Sequence, residues 1–405
     1  MRPRLSLLAA LGILAIGAGC ATDGSRQNSQ LRVRTDFPGG SAQVEQLSEE
    51  SKTIQLTPTL HPGRGWDAWW YFKLEGVKPG ETITLDVGKG IWATPDQAMF
   101  SYDNVTWQHT SPGKRQKDRI VYQHTVEKTP VWFAWGPPFV LSDAERLIDN
   151  ICARSPYATR FVLAKSKDGH TIPALKLYDP SVPASEKLGI WVEARQHAWE
   201  SGSSWVGKGF IEWVISDDPQ AKALRQMADI YFVPIMDVDN VQRGAGGKNA
   251  TPHDQNRDWS DSPHYPEVAA AQEHIRELNR IGRFDLFVDL HNPAPNDKRP
   301  FYFVTVAEYL SAQGAKNLKD FFLCSKEAIN GPLPLLDKAR ESGPEYDKVW
   351  DKISKNWVTK HTAGHVVAIT LETSWNTPQS TQEGYQTVGR QLGEAIAKYF
   401  TEPRR

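Results

Sequence analysis

The sequence has few cysteines, no excess of either charge and no long apolar run, and each scarcity excludes a class of protein. It has 3 cysteines among 405 residues, too few for a small fold held together by several disulfides. Its 47 Lys and Arg residues nearly balance 48 Asp and Glu residues, so the basic surface of a nucleic-acid-binding protein is not predicted. The apolar run at residues 5–18 is shorter than the roughly 20 residues that a membrane-spanning helix needs.

That apolar run has the features of an export signal. Arg2 and Arg4 precede it, as in secretory signal peptides. It ends in small residues followed by Cys20, which resembles a bacterial lipobox, and the resemblance implies removal of residues 1–19 and a lipid anchor on the cysteine. Ala21 stands where an Asp would resemble an inner-membrane retention signal, so we expect an exported lipoprotein of the outer membrane that faces the periplasm. A plain signal peptide with an incidental thiol is the alternative.

The remaining chain divides into three parts by composition and hydrophobic pattern. Residues 20–50 are polar, rich in Ser and Gln and without sustained periodicity, which predicts a tether. Residues 51–138 show short β-branched and aromatic runs between Gly and Pro turns, which predicts a small antiparallel β-sandwich. A capping box of Ser142 and Glu145 then opens a helix. Apolar strands alternate with amphipathic helices from there on, so residues 139–405 are predicted as an α/β domain whose mixed sheet has helices on both faces.

Tryptophan is unusually abundant in the predicted sandwich. Seven of the 15 tryptophans fall between Trp66 and Trp135. Because they occur inside strand-like runs, we interpret them as core residues. The competing interpretation is a carbohydrate-binding surface.

Two cysteines, Cys152 and Cys324, lie in the part predicted to be exported. An oxidising compartment permits a disulfide between them. Buried free thiols in helices fit the sequence equally well, so both states stay open.

Polar groups follow three of the predicted strands. His197 and Glu200 come just after one strand, and His291 and Glu372 end two others. Functional groups collect at the carboxyl ends of strands in such sheets. Two imidazoles and one carboxylate, with a fourth position left for water, form the usual ligand set of a catalytic zinc. We therefore predict one Zn²⁺ per chain, with Glu372 as an unbound carboxylate that takes a proton from water.

Histidine pairs at helical spacing are weak evidence by themselves. The sequence contains three further pairs that do not follow a buried strand: His264 with Glu267, His274 with Glu277, and His361 with His365. In a charged helix such residues are neighbours on a solvated face. We interpret all three pairs as structural.

Several separate segments resemble one family. They are ARQHAWESGSSW, DVDNVQRGAGGKNATPHDQNRDW, FVDLHNP and ITLETSW, which are similar in content and order to motifs of the zinc carboxypeptidases. The segment GWDAWWYFKLEGVKPGE resembles the small β-sandwich that precedes the catalytic domain in the cytosolic-carboxypeptidase-type branch. The resemblance implies a mixed eight-stranded carboxypeptidase sheet flanked by helices.

The resemblance also implies roles for individual residues. It assigns the three strand-end ligands to zinc and Glu372 to the general acid/base. It adds Asn256 and Arg257 as the pair that holds the terminal carboxylate of the substrate, a task that suits the planar fork of Arg. A surface ion pair of Arg257 with Asp254 or Asp258 is the alternative.

Some positions depart from the family pattern. Gly247 stands where the family usually places an Arg that stabilises the oxyanion, and Lys248 or Arg243 is expected to supply that charge instead. Trp199 replaces an Arg often found between the first two ligands. Tyr346 is the sole Tyr between residues 310 and 371, so it is the candidate for a mobile phenol over the site.

These features together predict a lipid-anchored zinc metallocarboxypeptidase that removes the C-terminal residue of a peptide. Two alternatives remain: a zinc-bearing binding protein without catalysis, and an amidase acting on peptidoglycan stem peptides. The specificity pocket is expected within residues 340–365, where no single residue is singled out. Oligomeric state is not predicted.

Overall fold

The computed structural model describes residues 30–88, 90 and 94–402. The predicted signal peptide, residues 1–19, and the predicted lipid-attachment residue Cys20 lie outside the described residues. Within the described part of the chain, no helix is long and apolar enough to cross a membrane.

The N-terminal part folds into two five-stranded sheets that share one core. Its strands are β1 (Arg32–Arg34), β2 (Gln43–Ser48), β3 (Thr53–Thr57), β4 (Tyr71–Glu75), β5 (Thr82–Gly88), β6 (Met99–Ser101), β7 (Gln108–His109), β8 (Lys114–Gln116), β9 (Arg119–Thr125) and β10 (Val131–Ala134). The sheet orders are β1-β4-β10-β6-β7 and β2-β3-β5-β9-β8. Neighbouring strands pair antiparallel, except for the parallel pair of β3 with β5. The predicted sandwich is thus present.

The sandwich begins earlier than the sequence indicated. Strands β1 and β2 both lie within residues 20–50, so the prediction of a tether is wrong for residues 32–34 and 43–48. Both strands are edge strands, and β2 is largely exposed. Edge strands of natural sheets carry polar and charged residues. The composition of residues 20–50 therefore resembles that of a linker although part of the segment is β-strand.

The described tryptophans of the sandwich pack in or against its core, and Trp92 lies outside the described residues. Trp69, Trp70, Trp107 and Trp135 are all at most 5% exposed. Trp132 is partly buried against the same core. Core packing is therefore confirmed for these residues, and large aromatic side chains supply much of the core volume of a short domain.

The second part is the predicted α/β domain. Its elements are α1 (Leu141–Arg154), β11 (Ala158–Lys165), β12 (Thr171–Leu177), β13 (Leu188–Ala194), α2 (Ser201–Val214), α3 (Pro219–Met227), β14 (Ala228–Val233), α4 (Val238–Arg243), α5 (Pro266–Arg280), β15 (Leu286–His291), β16 (Phe301–Thr305), α6 (Ala312–Ala328), β17 (Arg340–Ser342), α7 (Ser354–His361), β18 (Val367–Glu372) and α8 (Gln382–Thr401). The eight strands form one mixed sheet in the order β11-β12-β14-β13-β15-β18-β16-β17.

Four central strands of this sheet run parallel. β14, β13, β15 and β18 are neighbours in that order. Every residue of β15 is buried, and its first three residues, Leu286, Phe287 and Val288, are apolar without alternation because strands covered on both faces do not alternate. The carboxyl ends of these strands meet at one edge of the sheet. His291 at the end of β15 is the register partner of Glu372 at the end of β18.

Helix α1 begins one residue before the predicted capping box. The backbone N–H of Val140 donates to Asp143 Oδ2 at 2.8 Å, so Asp143 supplies the carboxylate expected from Glu145. Ser142 lies inside the helix. The box was therefore wrong by two residues at its acidic end, because the helix starts at Leu141.

Both described cysteines, Cys152 and Cys324, are free thiols. Burial raises the pKa of each thiol above its ordinary value. Since the thiolate is the reactive form, both cysteines act as small apolar side chains.

Three tryptophans join the two domains. The ring of Trp135 from the sandwich lies 5.2 Å from that of Trp199 and 4.2 Å from that of Trp375. All three side chains are at most 5% exposed. Aromatic pairs of this kind contribute about 0.5–1.5 kcal/mol each beyond the area they bury. The sandwich thereby holds the segments that follow β13 and β18.

Candidate active site

A pocket of about 300 Å³ opens at the carboxyl edge of the parallel strands. The residues that line it come from both domains and include most of the predicted site: Trp66, His197, Trp199, Glu200, Lys248, Asn256, Arg257, His291, Phe301, Phe303, Arg340, Ser342, Tyr346, Lys355 and Glu372. A volume of this size is in the range of small-ligand sites.

The structure brings the three predicted metal ligands together. His197 lies in the turn after β13, Glu200 directly precedes α2, and His291 ends β15. The Nδ1 atom of His197 lies 2.7 Å from Glu200 Oε1, and the Nδ1 atom of His291 lies 2.7 Å from Glu200 Oε2. Their possible ligand atoms lie within 4.8 Å of one another, and all three side chains are buried. The group has the arrangement of a metal-binding site.

The surroundings of both imidazoles fit a metal ion. Asp254 Oδ1 lies 3.4 Å from Nε2 of His197, and Asp289 Oδ2 lies 2.9 Å from Nε2 of His291. Metal-binding histidines usually turn their second nitrogen toward a carboxylate, which orients the ring and raises its basicity. Both Nδ1 atoms are thus directed at the shared centre, and a borderline-soft cation such as Zn²⁺ suits two imidazoles and one carboxylate.

Glu200 is charged despite its burial. Burial alone raises the pKa of a carboxyl, but the two imidazoles oppose it and lower the pKa of Glu200 to about 2. A buried anion is costly unless it is compensated. The ligand group thus already provides the negative charge that a cation would neutralise.

Glu372 lies beside this group at the end of β18. Burial raises the pKa of its carboxyl to about 8; Glu200 and Asp289 also raise it, whereas His291 and Lys248 lower it. Oε2 of Glu372 has no hydrogen-bond partner among the described residues. A divalent cation next to it would add positive charge and lower this pKa. The carboxyl has the position and the spare hydrogen-bonding capacity of a group that exchanges protons.

The predicted carboxylate-binding pair also lines the pocket. Asn256 and Arg257 lie in a short 3₁₀ turn, residues 255–257. Arg257 donates through Nε to Asp347 Oδ2 at 2.7 Å, an ion pair in which its side chain is 13% exposed. Asn256 Oδ1 accepts the backbone N–H of Ser354 at 3.0 Å. The expected alternative, an ion pair of Arg257 with Asp254 or Asp258, is not what the structure shows.

Of the two cations expected to replace the family Arg, the structure brings one to the pocket. Lys248 lines it, with Nζ 3.4 Å from Asp254 Oδ2. Arg243 lies elsewhere: it donates to Asp168 and its side chain is 47% exposed, because it ends α4 and points to the surface. Its assignment as a catalytic residue is therefore wrong.

Gly247 has a φ of +79°, and a Cβ there would lie 2.5 Å from Asp237 Oδ2, so no longer side chain fits that position.

Tyr346 lines the pocket and is half exposed. Its ring packs against Phe303 at 5.1 Å between centroids. It neighbours Asp347, the partner of Arg257. The phenol is thus placed at the mouth of the pocket, as expected for a residue above the site.

The three other histidine pairs contribute nothing to the pocket. His361 stacks on Trp357 with its Nδ1 atom 2.8 Å from the Trp357 carbonyl oxygen. Glu267, expected on a solvated face, is instead 3% exposed. It accepts a hydrogen bond from Gln255, and burial raises its pKa to about 8. It faces inward because the first turn of α5 lies against the 3₁₀ turn that begins at Gln255.

Two family models match the chain in the order of its domains. The model of the cytosolic carboxypeptidase N-terminal domain matches residues 33–135, and the zinc carboxypeptidase model matches residues 144–295. The chain thus carries a zinc carboxypeptidase domain after a cytosolic carboxypeptidase N-terminal domain. The second match contains all three residues of the metal-binding group, and the first begins inside the segment that the sequence had suggested as a tether.

Curated relatives of the chain are 22–26% identical to it over the aligned residues. An uncharacterized protein of Zymomonas mobilis is 26% identical over 269 residues, covering 64% of this chain and 67% of its own length. Human cytosolic carboxypeptidase 1 is 22% identical over 309 residues, covering 64% of this chain. Cytosolic carboxypeptidase 2 of Danio rerio is 23% identical over 363 residues and covers 82% of it. The chain spans 25% of the human protein and 48% of the zebrafish protein.

Solved structures share the fold across both domains. A metallo-carboxypeptidase from Burkholderia cenocepacia has a TM-score of 0.76 at 22% identity and covers 92% of this chain and 99% of its own. A metallo-carboxypeptidase from Pseudomonas aeruginosa, in complex with (2-guanidinoethylmercapto)succinic acid, has a TM-score of 0.73 at 24% identity and covers 90% of this chain and 98% of its own. The arrangement of sandwich and catalytic domain is therefore shared with these proteins.

Four pocket-associated residues of the chain escaped the sequence analysis. Asp254 and Asp289 support the two imidazoles, and Asp289 sits two residues before His291, a spacing that puts both on one face of a strand. Lys355 was covered only by the broad range 340–365. Trp66 was assigned to the sandwich core, and only the neighbouring Gly65 reflects the close approach of its loop to the other domain.

Proposed function

We propose that the protein is a zinc-dependent metallocarboxypeptidase that hydrolyses the C-terminal peptide bond of peptide substrates. The observation that carries this proposal is the position of His197, Glu200 and His291 next to Glu372 in one buried pocket. The match of residues 144–295 to the zinc carboxypeptidase model supports the same reaction.

His197, Glu200 and His291 would hold the zinc ion through two Nδ1 atoms and a carboxylate. Bound there, Zn²⁺ supplies a Lewis acid that polarises the scissile carbonyl and increases the acidity of water. Glu372 accepts the proton of the attacking water and later delivers it to the leaving amine. The absence of a hydrogen-bond partner for its Oε2 among the described residues leaves that oxygen available for water.

The remaining pocket residues orient the substrate. Arg257 and Asn256 bind the terminal carboxylate, which restricts cleavage to the last peptide bond. The Asp347 partner of Arg257 holds the guanidinium in one orientation. Lys248 Nζ donates to the negative charge that develops on the carbonyl oxygen, and such donors act strongly where water is excluded.

The terminal side chain meets Lys355. This lysine is 1% exposed and lines the pocket from α7, with Nζ donating to Ser342 Oγ at 2.5 Å and to Asn356 Oδ1 at 2.6 Å. No carboxylate among the described residues forms an ion pair with it, and burial together with Arg257 lowers its pKa to about 7. A buried ammonium without a counter-charge favours an anionic partner. We therefore assign the substrates as peptides that end in an acidic residue.

Zinc content and turnover test the proposal separately. The purified protein, expressed with sufficient zinc, should contain one zinc ion per chain, and His291→Ala should remove it. Glu372→Gln should retain the metal and lose hydrolysis. Absence of zinc from the wild-type protein contradicts the proposal. Zinc without trimming of any peptide supports instead a binding protein that has lost catalysis, and cleavage restricted to peptidoglycan stem peptides supports the amidase.

We further propose that Cys20 carries a lipid anchor and that the protein faces the periplasm from the outer membrane. The lipobox-like sequence before Cys20 supports this location. Cys20→Ser should move the protein from the membrane to the soluble fraction. Mass spectrometry of the mature N-terminus reads out the modification of Cys20 itself. Equal fractionation of the variant and the wild type contradicts the anchor.

A further inference from the structure

Contacts along the pocket place its groups in a fixed order. On one side of the ligand group, Lys248 contacts Asp254, which contacts His197. On the other side, Asn256 Nδ2 lies 3.2 Å from His291 Nε2, and its Oδ1 accepts from Ser354. The residue after Ser354 is the buried lysine proposed above to meet the terminal side chain. With its terminal carboxylate on Asn256 and Arg257, as proposed above, a substrate would place its terminal residue toward His291 and its preceding residue across the ligand group, toward Lys248.

The Lys248 side of the pocket is tied to a loop of the sandwich, residues 61–67. Trp66 N–H donates to the Lys248 carbonyl at 2.9 Å, and Gly247 N–H donates to the Arg64 carbonyl at 2.9 Å. Thr251 N–H donates to the Gly63 carbonyl at 2.9 Å. These three backbone bonds fix the loop against the segment that carries Lys248.

The two segments approach each other too closely for any side chain between them. A Cβ at Gly65, whose φ is +88°, would lie 2.5 Å from the Lys248 carbonyl oxygen. A Cβ at Gly246 would lie 2.0 Å from the Trp66 carbonyl oxygen. Glycine at both positions permits this contact. The side chain of Trp66 is consequently held at the pocket, which it lines although it belongs to the sandwich.

We propose that Trp66 forms the subsite for the residue that precedes the terminal residue of the substrate, and that it prefers an aromatic side chain there. The inference rests on the proposed function for the direction of the bound peptide. Indole rings bind aromatic side chains by stacked or edge contacts. The sandwich is thus a part of the substrate site, in addition to its packing against the catalytic domain through tryptophans.

Peptide binding without turnover tests this proposal. Zinc-loaded protein with Glu372→Gln is titrated calorimetrically with two tripeptides that share a terminal Glu and differ in the penultimate residue, Phe or Gly. We expect the Phe peptide to bind about tenfold more tightly, equivalent to about 1.4 kcal/mol. Adding Trp66→Ala should reduce the ratio of the two dissociation constants to about 1, and Trp66→Phe should restore most of it.

Trp132→Ala is the matched control, because Trp132 is a partly buried tryptophan of the same sandwich that does not line the pocket. It should leave the ratio at about tenfold. An unchanged ratio in Trp66→Ala, an equal loss in both tryptophan variants, or no peptide binding at all overturns the subsite. If the Phe peptide binds tightly and this depends on Trp66, but the wild-type protein cleaves no peptide, the subsite is supported and the proposed function is contradicted.

Discussion

Replacing Lys355 by Met tests the assignment of the substrate class most sharply. Methionine keeps an unbranched side chain of similar length and removes the ammonium. Because Asn356 Oδ1 also accepts from Thr305 Oγ1 at 2.7 Å and Ser342 Oγ also accepts from Asn356 Nδ2 at 3.5 Å, the two acceptors of the lysine remain partnered. Replacing an uncompensated buried charge by an apolar group is often neutral for stability, so we expect the variant to fold.

The expected magnitude follows from the contact that is lost. A hydrogen bond to a charged group contributes about 1.5–3 kcal/mol, which corresponds to about 10- to 150-fold in kcat/KM. The readout is the ratio of kcat/KM for two peptides that differ in their last residue, Glu or Gln. These residues have the same shape, so the ratio reports charge recognition. Lys355→Met should lower the Glu-to-Gln ratio by that factor.

The pH dependence supplies a second readout of the same experiment. The pKa of Lys355 is lowered to about 7, so the ammonium is present below pH 7 and is lost as the pH rises above it. The wild-type Glu-to-Gln ratio should therefore fall between pH 6 and pH 8, whereas the Lys355→Met ratio should stay flat. Titration of Glu372 affects both peptides equally and cancels in the ratio.

Lys360→Met is the control, because Lys360 lies on the same helix, α7, but is exposed and faces Asp351 at 3.5 Å. It should preserve the ratio and its pH dependence. If Lys355→Met leaves the Glu-to-Gln ratio unchanged, or if both variants lower it equally, Lys355 does not recognise the charge of the terminal side chain.

Four further substitutions have defined outcomes. Glu372→Gln should lower kcat by about 10²–10⁴-fold with zinc content unchanged by atomic absorption; loss of the metal would contradict its assignment as an unbound carboxylate. Arg257→Ala should raise KM for peptides with a free terminal carboxylate, and an unaltered KM would exclude it from carboxylate binding. Asp254→Asn should weaken zinc binding by about 10–100-fold in competition with a chelator, and equal affinity would show that the 3.4 Å contact with His197 does not tune the site. Trp135→Ala should lower the free energy of unfolding by about 3–5 kcal/mol in denaturant titrations, more than Trp132→Ala; equal losses would contradict a core shared by the two domains.

The strand-end residues were predictable because sheet geometry and chemistry agree there. Continuous apolar strands between amphipathic helices indicated a mixed sheet covered on both faces, and functional groups collect at the carboxyl ends of the strands in such sheets. His291 and Glu372 are register partners for this reason. The ligand group could therefore be predicted even though Glu200 and His291 lie 91 residues apart in the sequence.

Predictions failed where local composition and tertiary position disagree. Strands β1 and β2 look like a linker because edge strands are exposed and polar. Arg243 and Lys248 were equivalent candidates in sequence, since both flank the glycine loop. The turn after α4, with Gly244 at a φ of +69°, directs the chain so that Arg243 faces Asp168 while Lys248 enters the pocket.

The role of Trp66 could not be obtained from sequence because it depends on contact between two domains. Its loop meets the Lys248 segment across 182 residues of chain, through backbone hydrogen bonds that carry no side-chain signature. Gly65 and Gly246 are the only features of the local sequence that reflect the close contact between the two segments. Glycine also occurs in ordinary turns, so it does not identify such a contact. Long-range backbone contact of this kind becomes visible in the structure alone.

The most direct measurement of the central claim is mass spectrometry of peptides incubated with the zinc-loaded protein. The substrate mixture contains one sequence ending in Glu, with either a free or an amidated C-terminus. The wild-type protein should remove a single residue from the carboxyl end of the free peptide and leave the amidated peptide nearly intact, and Glu372→Gln should give no product. Intact peptides with the wild-type protein, or equal cleavage of both forms, would contradict the central claim.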